Sequence, residues 1–280
     1  MKAIIFGASK NSERLYSMIK QKYEVVAYAD NDEGKWGGWL GNCPIIPPDK
    51  IPEVDYDEII IVSITALYVI QKQLIDLGVD KARINLSYME LQVKAREQFL
   101  RDYAQIVYEN NIKGNVAEAG VFQGEFAKTI NEMFPDRKCY LFDTFEGFNE
   151  RDIEIEKQNG YSDESVGHLN LTSEEMVLGK MRHTENCIIR KGYFPETAVG
   201  IQDTFCFVNL DMDLYKPTLE GLKFFWERME KGGIILVHDY FGDIYKGVRS
   251  AVEEFRKESV IEIPLFPIGD SISIAMIKYN

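Results

Sequence analysis

The chain has 280 residues, with 32 basic against 45 acidic side chains and a formal net charge of −13. That length accommodates two compact domains, each with its own core. An acidic surface repels phosphate backbones and anionic lipid, so neither nucleic acid nor a membrane surface is an expected partner, and no apolar run approaches the ~20 residues that span a bilayer.

The first half alternates strand and helix. Lys2–Phe6 is an apolar strand, Gly7-Ala-Ser a turn, 12–22 an amphipathic helix, and Glu24–Ala29 a second strand ending at Asp30. Residues 59–63 are nearly all β-branched, the mark of a strand buried on both faces, and a helix over 65–77 stops at Gly78. The opening apolar run is too short for a signal peptide and leads directly into the glycine turn, so it reads as a first strand. Four cysteines (Cys43, Cys139, Cys187, Cys206) carry no Cys-x-x-Cys pair and suit unpaired thiols in a reducing, cytoplasmic compartment. His168, His183 and His238 show no metal-ligand spacing.

Residues 88–111 have helical periodicity without Gly or Pro and read as one or two helices joining the halves, with the boundary near 95. The second series has strands at 116–119, 138–142, 187–190, 205–210 and 233–237, and helices at 123–133, 217–229 and 246–257. It ends in two strands, 260–266 and 272–279, separated only by Pro267-Ile-Gly-Asp270. A connection that short cannot hold a crossover helix, so these two strands pair antiparallel. The acidic stretch 146–186 breaks the rhythm and is too long for an idle loop. It is expected to form a lid, with a helix from Thr172 to about Met181 opened by a T-S-E-E capping box.

Chemistry concentrates at four strand ends. Asn115-Val-Ala-Glu118-Ala-Gly120-Val-Phe-Gln-Gly124 is a strand, glycine turn and helix start, and Asp143 follows 19 residues later at the tip of the next strand. The glycines allow close backbone approach to a ligand, and the acid suits both hydroxyls of a ribose. Glu118 and Phe122 depart from the dinucleotide fingerprint and fit S-adenosylmethionine (SAM) better than a pyrophosphate. Asp211 and Asp213 end the fourth strand, and His238 and Asp239 the fifth, where ligands of open α/β sheets bind. Three carboxylates there suit a hard cation such as Mg²⁺, and they need a counter-charge to stay ionised together. A helix-capping role for Asp211 or Asp213 stays open, as does a general-base role for His238, which alternation would turn away if Asp239 faces the site.

VAEAGVFQGEFA, LFDTFEGF, LTSEEM, IRKGYFPET, VNLDMDLYKPTLEGL and GGIILVHDY occur in the order that resembles the macrocin O-methyltransferase family, over roughly residues 100–257. The resemblance implies a class I SAM methyltransferase fold and a Mg²⁺-dependent sugar O-methyltransferase. Carried over, it places Glu118, Gly120 and Gly124 in the SAM loop, Asp143 on the ribose and Tyr193 near the adenine. Asp211 becomes metal ligand and base, and Asp239 a second ligand. The family usually carries an acid at the position of His238, which keeps that histidine open as the base. FGASKNSERLY, VVAYADND, GKWGGWLGNCPII and EIIIVSI make the first half resemble the small Rossmann-like domain found ahead of sugar O-acyltransferases, which implies substrate recognition or scaffolding.

The expectation is therefore an α/β protein of two Rossmann-like domains, 1–95 and 96–280, with a lid at 146–186. The second is a SAM methyltransferase whose parallel sheet is closed by an antiparallel hairpin. Its catalytic residues are Asp211 and His238, its metal ligands Asp211, Asp239 and Asp213, and its partner a sugar-containing small acceptor. Homo-oligomerisation stays open. The rival readings are an NAD(P)-dependent oxidoreductase of sugar nucleotides and a non-catalytic sugar-nucleotide-binding protein.

Overall fold

The structure, a computed structural model, describes residues 1–63, 66–259 and 262–279. The chain divides into two compact units, Met1–Lys94 and Ala95–Asn280. The first runs β1 (Lys2–Phe6), α1 (Lys10–Ile19), β2 (Glu24–Ala29), β3 (Trp39–Leu40), β4 (Cys43–Ile46), β5 (Glu58–Ile61), α2 (Leu67–Asp76) and β6 (Ile84–Asn85). Its sheet is ordered β3-β4-β2-β1-β5-β6, parallel except at β3. Ile59, Ile60 and Ile61 are fully buried at its centre, as a β-branched run requires. Helix α1 starts two residues before the expected 12 because Ser9 caps it, in a reciprocal capping box with Ser12. Residue 65 of the expected second helix lies outside the described residues. Strands β3, β4 and β6 were not expected, being too short to show a period of two.

The 88–111 segment is one helix, α3 (Ser87–Glu109). The second unit continues with β7 (Asn115–Ala119), α4 (Glu125–Met133), β8 (Cys139–Asp143), α5 (Glu150–Asn159), α6 (Glu174–Leu178) and β9 (Cys187–Lys191). After these come β10 (Phe205–Leu210), α7 (Tyr215–Trp226), β11 (Met229–Val237), α8 (Lys246–Glu258), β12 (Leu265–Pro267) and β13 (Ile274–Ile277). The sheet order is β12-β13-β11-β10-β7-β8-β9. Strands β7 to β11 are parallel, and β13 is antiparallel to both β11 and β12. The antiparallel closure is present, and its second strand inserts between the first and the parallel set, so Val237 lies opposite Ile274. Residues 260 and 261 of the expected hairpin lie outside the described residues.

Alternation along each strand divides the core between two faces. Val116, Leu141, Phe207 and Leu236 pack with Leu100, Tyr103 and Val107 of α3. Ala117, Phe142, Val208 and Val237 pack with Leu222 and Phe225 of α7 and Val252 of α8. Glu118 and Asn209, paired in register, continue the alternation of Val116 and Phe207, toward the α3 side. Among the described residues no helix is long and apolar enough to cross a membrane.

The 146–186 stretch holds two helices where one was expected. Helix α5 escaped the periodicity because its buried face is Asp152, Ile153 and Glu156, two acids around one apolar residue. Helix α6 is capped by Ser173, which accepts from Met176 N–H. Thr172 turns instead to the turn after β7, its hydroxyl donating to the Phe122 carbonyl. Val177 and Met181 are buried beside Gly124.

Candidate active site

The turn after β7 is built on a backbone only glycine accepts. Gly120 has φ +85°, and a Cβ there would stand 1.8 Å from the Asp211 carbonyl oxygen. Asp211 N–H in turn donates to Ala119 O at 2.8 Å, so the ends of β7 and β10 touch through backbone. Gly124, φ +81°, opens α4. Asp143 holds the turn from the tip of β8. Its Oδ2 accepts Val121 N–H and Phe122 N–H, both at 2.8 Å, and its Oδ1 accepts Phe145 N–H at 2.7 Å. Burial pushes its carboxyl above the ordinary value, opposed by these amides.

A cleft opens beside this turn, lined among others by Gly120, Phe122, Asp143, Tyr193, Asp211 and Asp213. Tyr193 reaches it from beyond β9. Its hydroxyl donates to Asp152 Oδ1 at 2.7 Å, and the Arg151 guanidinium lies 4.0 Å over its ring. Asp152, on α5, is a buried lining residue that the sequence reading missed.

Beneath the turn, Glu118 is 2% exposed. Its Oε1 accepts from Asn209 Nδ2 at 2.7 Å, while Oε2 is buried with no partner among the described residues. Burial first, and then the charge of Asp211, push this carboxyl up to about 8, against the pull of Arg96 and Asn209. Arg96 of α3 supplies the cation that clustered acids require. Its Nη2 donates to Asn209 Oδ1 at 3.0 Å and to Asp211 Oδ2 at 2.9 Å, and its guanidinium stacks 4.0 Å from the Phe126 ring. The sequence argued for a counter-charge but gave no signal for which residue, 115 positions from Asp211, would provide it.

Asp211, His238 and Asp239 offer ligand atoms that all lie within 4.8 Å of one another. His238 therefore does not point away. Asp239 has φ +56°, a left-handed conformation that breaks the strand alternation and brings consecutive side chains to one place. Asp213, φ +61°, stands outside that set. Burial, then the charges of Asp239 and Asp211, raise the Asp213 carboxyl. Burial likewise raises Asp239, but at Asp211 His238 and Arg96 outweigh burial and hold the carboxyl low. Neither Asp211 nor Asp213 caps α7, whose Tyr215 N–H donates to Glu156 Oε1 at 2.8 Å. His168 instead faces Glu164 at 3.6 Å, and His183 faces Glu185 at 3.6 Å.

A parallel sheet closed by an inserted antiparallel strand, with a glycine turn and acids at its carboxyl edge, defines a class I methyltransferase fold. The macrocin-O-methyltransferase (TylF) family model matches residues 66–276, and the chain belongs to that family of O-methyltransferases. Residues 1–85 match a second model, C2185-like, N-terminal. The chain is 25% identical over 189 residues to a demethyldecarbamoylnovobiocin O-methyltransferase of Streptomyces niveus, covering 62% of this chain and 70% of that one. It is 24% identical over 179 residues to the 8-demethyl-8-(2,3-dimethoxy-alpha-L-rhamnosyl)-tetracenomycin-C 4'-O-methyltransferase of Streptomyces olivaceus, covering 59% and 66%. In fold it is similar to the O-methyltransferase NovP, with TM-score 0.56, 22% identity and 66% and 80% of the two chains covered. It is also similar to the calicheamicin methyltransferase CalS11, with TM-score 0.53, 16% identity and 76% and 90% covered.

Proposed function

We propose that this chain transfers the methyl group of SAM to a sugar hydroxyl of a glycan precursor or glycosylated metabolite, with Mg²⁺ assisting. The observation that carries the reading is the buried, unpartnered Glu118 Oε2 beneath the glycine turn, one strand away from the Asp211, His238 and Asp239 set. A buried carboxyl oxygen left without a partner suits a ligand ammonium, whose charge would offset the burial that raises this acid, and the amino-acid end of SAM carries one. Glu118, Gly120 and Gly124 would hold that end, Asp143 the ribose, and Tyr193 the adenine side. The name of the tetracenomycin relative, a 4'-O-methyltransferase of a rhamnosyl compound, supports a sugar acceptor.

The sulfonium of SAM supplies an electrophilic methyl and leaves as a thioether. The protein aligns the acceptor oxygen with it, and most of the rate comes from that positioning. Asp211, paired with the Arg96 guanidinium at 2.9 Å, takes the hydroxyl proton, with His238 as the alternative base. Asp211 and Asp239 supply hard oxygen donors for Mg²⁺, a bound cation that lowers a hydroxyl pKa. Asp213 lies next to them, and the nitrogen of His238 also suits Mn²⁺. The acidic stretch 146–186, which carries Asp152 into the cleft wall, would act as the lid. Unit Met1–Lys94 would recognise the acceptor or serve as scaffold.

Calorimetric titration with SAM, followed by methyl-transfer assays on nucleotide sugars and glycosylated metabolites, tests the reading. EDTA should abolish turnover, with Mg²⁺ or Mn²⁺ restoring it, while SAM affinity stays nearly intact, and Asp211→Asn should do the same. Turnover that survives chelation but falls by about 10²–10⁴ in His238→Ala would transfer the base role to His238 without metal. No SAM binding would defeat the proposal.

A further inference from the structure

The turn between β12 and β13 contains a feature that no role in methyl transfer yet uses. Asp270 and Ser273 are each only 1% exposed. Asp270 Oδ1 accepts Ile272 N–H at 3.0 Å and Ser273 N–H at 2.8 Å, and its Oδ2 accepts the Ser273 hydroxyl at 2.5 Å. The same hydroxyl oxygen lies 2.9 Å from His238 Nδ1. A serine has one hydroxyl proton, and here it is directed to the carboxylate. Toward His238 the oxygen can only accept, so Nδ1 must carry the hydrogen.

We propose that Asp270 and Ser273 are positioning residues that fix His238 as its Nδ1–H tautomer and leave the Nε2 lone pair for the site. The topology explains why they can. Strand β13 runs antiparallel beside β11 with Val237 opposite Ile274, so one step beyond the ladder Ser273 faces His238. The Phe241 N–H to Ile272 O bond, at 3.0 Å, closes the same corner. The hairpin thus orients a group at the tip of β11 as well as ending the sheet. A ring nitrogen of His238 shares a 4.8 Å set with the carboxylates of Asp211 and Asp239. With Nδ1 engaged by Ser273, Nε2 is the nitrogen available to a hydroxyl proton or a cation there. A hydrogen bond that orients the far nitrogen of a histidine fixes which nitrogen can react or ligate.

That Nε2 serves catalysis rests on the proposed methyl transfer, but the tautomer does not, and it can be read without turnover. The chain has 3 histidines, so ¹⁵N-histidine labelling of the full chain gives few ring signals, and His238→Gln identifies the relevant pair. In neutral His238, Nδ1 should carry the proton and Nε2 should not. Asp270→Asn can present its amide N–H₂ to Ser273 Oγ, turning the hydroxyl proton toward Nδ1, and should invert the tautomer. Ser273→Ala should release it to the Nε2–H form that free imidazole favours, and Ser273→Thr, which keeps the hydroxyl, should restore the native pattern. If the site is active, Ser273→Ala should lower kcat about 10–100-fold with the KM for SAM unchanged, and Ser273→Thr should recover most of it. An Nε2–H tautomer in the wild-type chain would overturn the proposal even if methyl transfer is confirmed. So would an unchanged pattern in a folded Ser273→Ala protein. The predicted tautomer in a chain that never binds SAM would leave the relay standing and sink the methyltransferase reading instead.

Discussion

The two units of this chain carry the same device with different finishes. In each, a central strand runs into a glycine turn and a helix, and the acid at the tip of the next strand accepts amides of that turn. In the first unit Asp30 Oδ2 accepts Ala8 N–H at 2.8 Å; in the second Asp143 accepts two. Asp30 is then closed off. Lys35 Nζ sits 3.0 Å from its Oδ2, and the Trp36 indole donates to its carbonyl at 2.7 Å. Asp143 is held by backbone amides instead and lines an open cleft. Two residues before each turn glycine stand Ile5, fully buried among apolar neighbours, and Glu118, equally buried with an oxygen unpaired. The device alone is therefore architecture. It becomes a binding site when polar groups are left unsatisfied around it.

The contrast should break most sharply at the glycines. Gly120→Ala drives a Cβ into backbone 1.8 Å away and should lower SAM affinity by at least about 100-fold, or ~3 kcal/mol. Gly7→Ala, whose Cβ would lie 3.0 Å from the Val62 carbonyl at φ +111°, should destabilise its own unit and leave SAM affinity alone. Calorimetric titration beside thermal unfolding separates the two outcomes.

Glu118→Gln sharpens the comparison through pH. The folded carboxyl is pushed up to about 8, against an ordinary 4.5. The folded state therefore holds its proton more tightly, and stability is lost as pH rises from about 4.5 toward 8. Without ligand, the variant should match the wild type below that window and exceed it above, by up to about 5 kcal/mol as an upper bound. It should also bind SAM more weakly. Urea unfolding at pH 4 and pH 8.5 checks this, and Ile5 in the other unit contributes no such slope.

Next in size come the acids. Asp143→Ala orphans three backbone amides and should cost SAM affinity roughly 1.5–3 kcal/mol, whereas Asp30→Ala should leave the SAM isotherm unchanged. Unchanged SAM affinity in a folded Asp143→Ala protein would remove Asp143 from the site. Smallest is Lys35→Ala, which opens a partly exposed ion pair and should cost about 0.5–1 kcal/mol in thermal unfolding. A large loss there would mean that Lys35 does more than neutralise Asp30.

The strand–helix alternation and the hairpin were legible because they follow from runs of apolar residues and the length of what lies between them. The strand-end positions of Glu118, Asp143, Asp211 and Asp239 were legible because strand tips in a βαβ series are fixed by counting. Arg96 was not, since its partners are set by how α3 crosses the sheet face, and no local pattern encodes that. Helix α5 was hidden by the burial of Asp152 and Glu156, which looks like surface until something packs on it. Alternation could not settle which way His238 faces, because a period of two holds only while the ladder does, and at Asp239 it stops.

The left-handed backbone at Asp213 and Asp239 has a consequence for how these positions can drift. A substitution there is screened twice, once by a dihedral that costs most side chains about 1–3 kcal/mol and once by the charge the cluster needs. Asn and Gly pass the first screen with little strain, since both visit this region readily, yet they fail the second. Under the proposed mechanism, exchange of Asp239 for Asn or Gly should therefore give a chain that folds at least as well as the parent and has lost methyl transfer. A lineage released from selection on the reaction would be expected to shed charge at these two corners long before it sheds shape. It would leave behind a sheet edge that still bends like an enzyme's and no longer works as one.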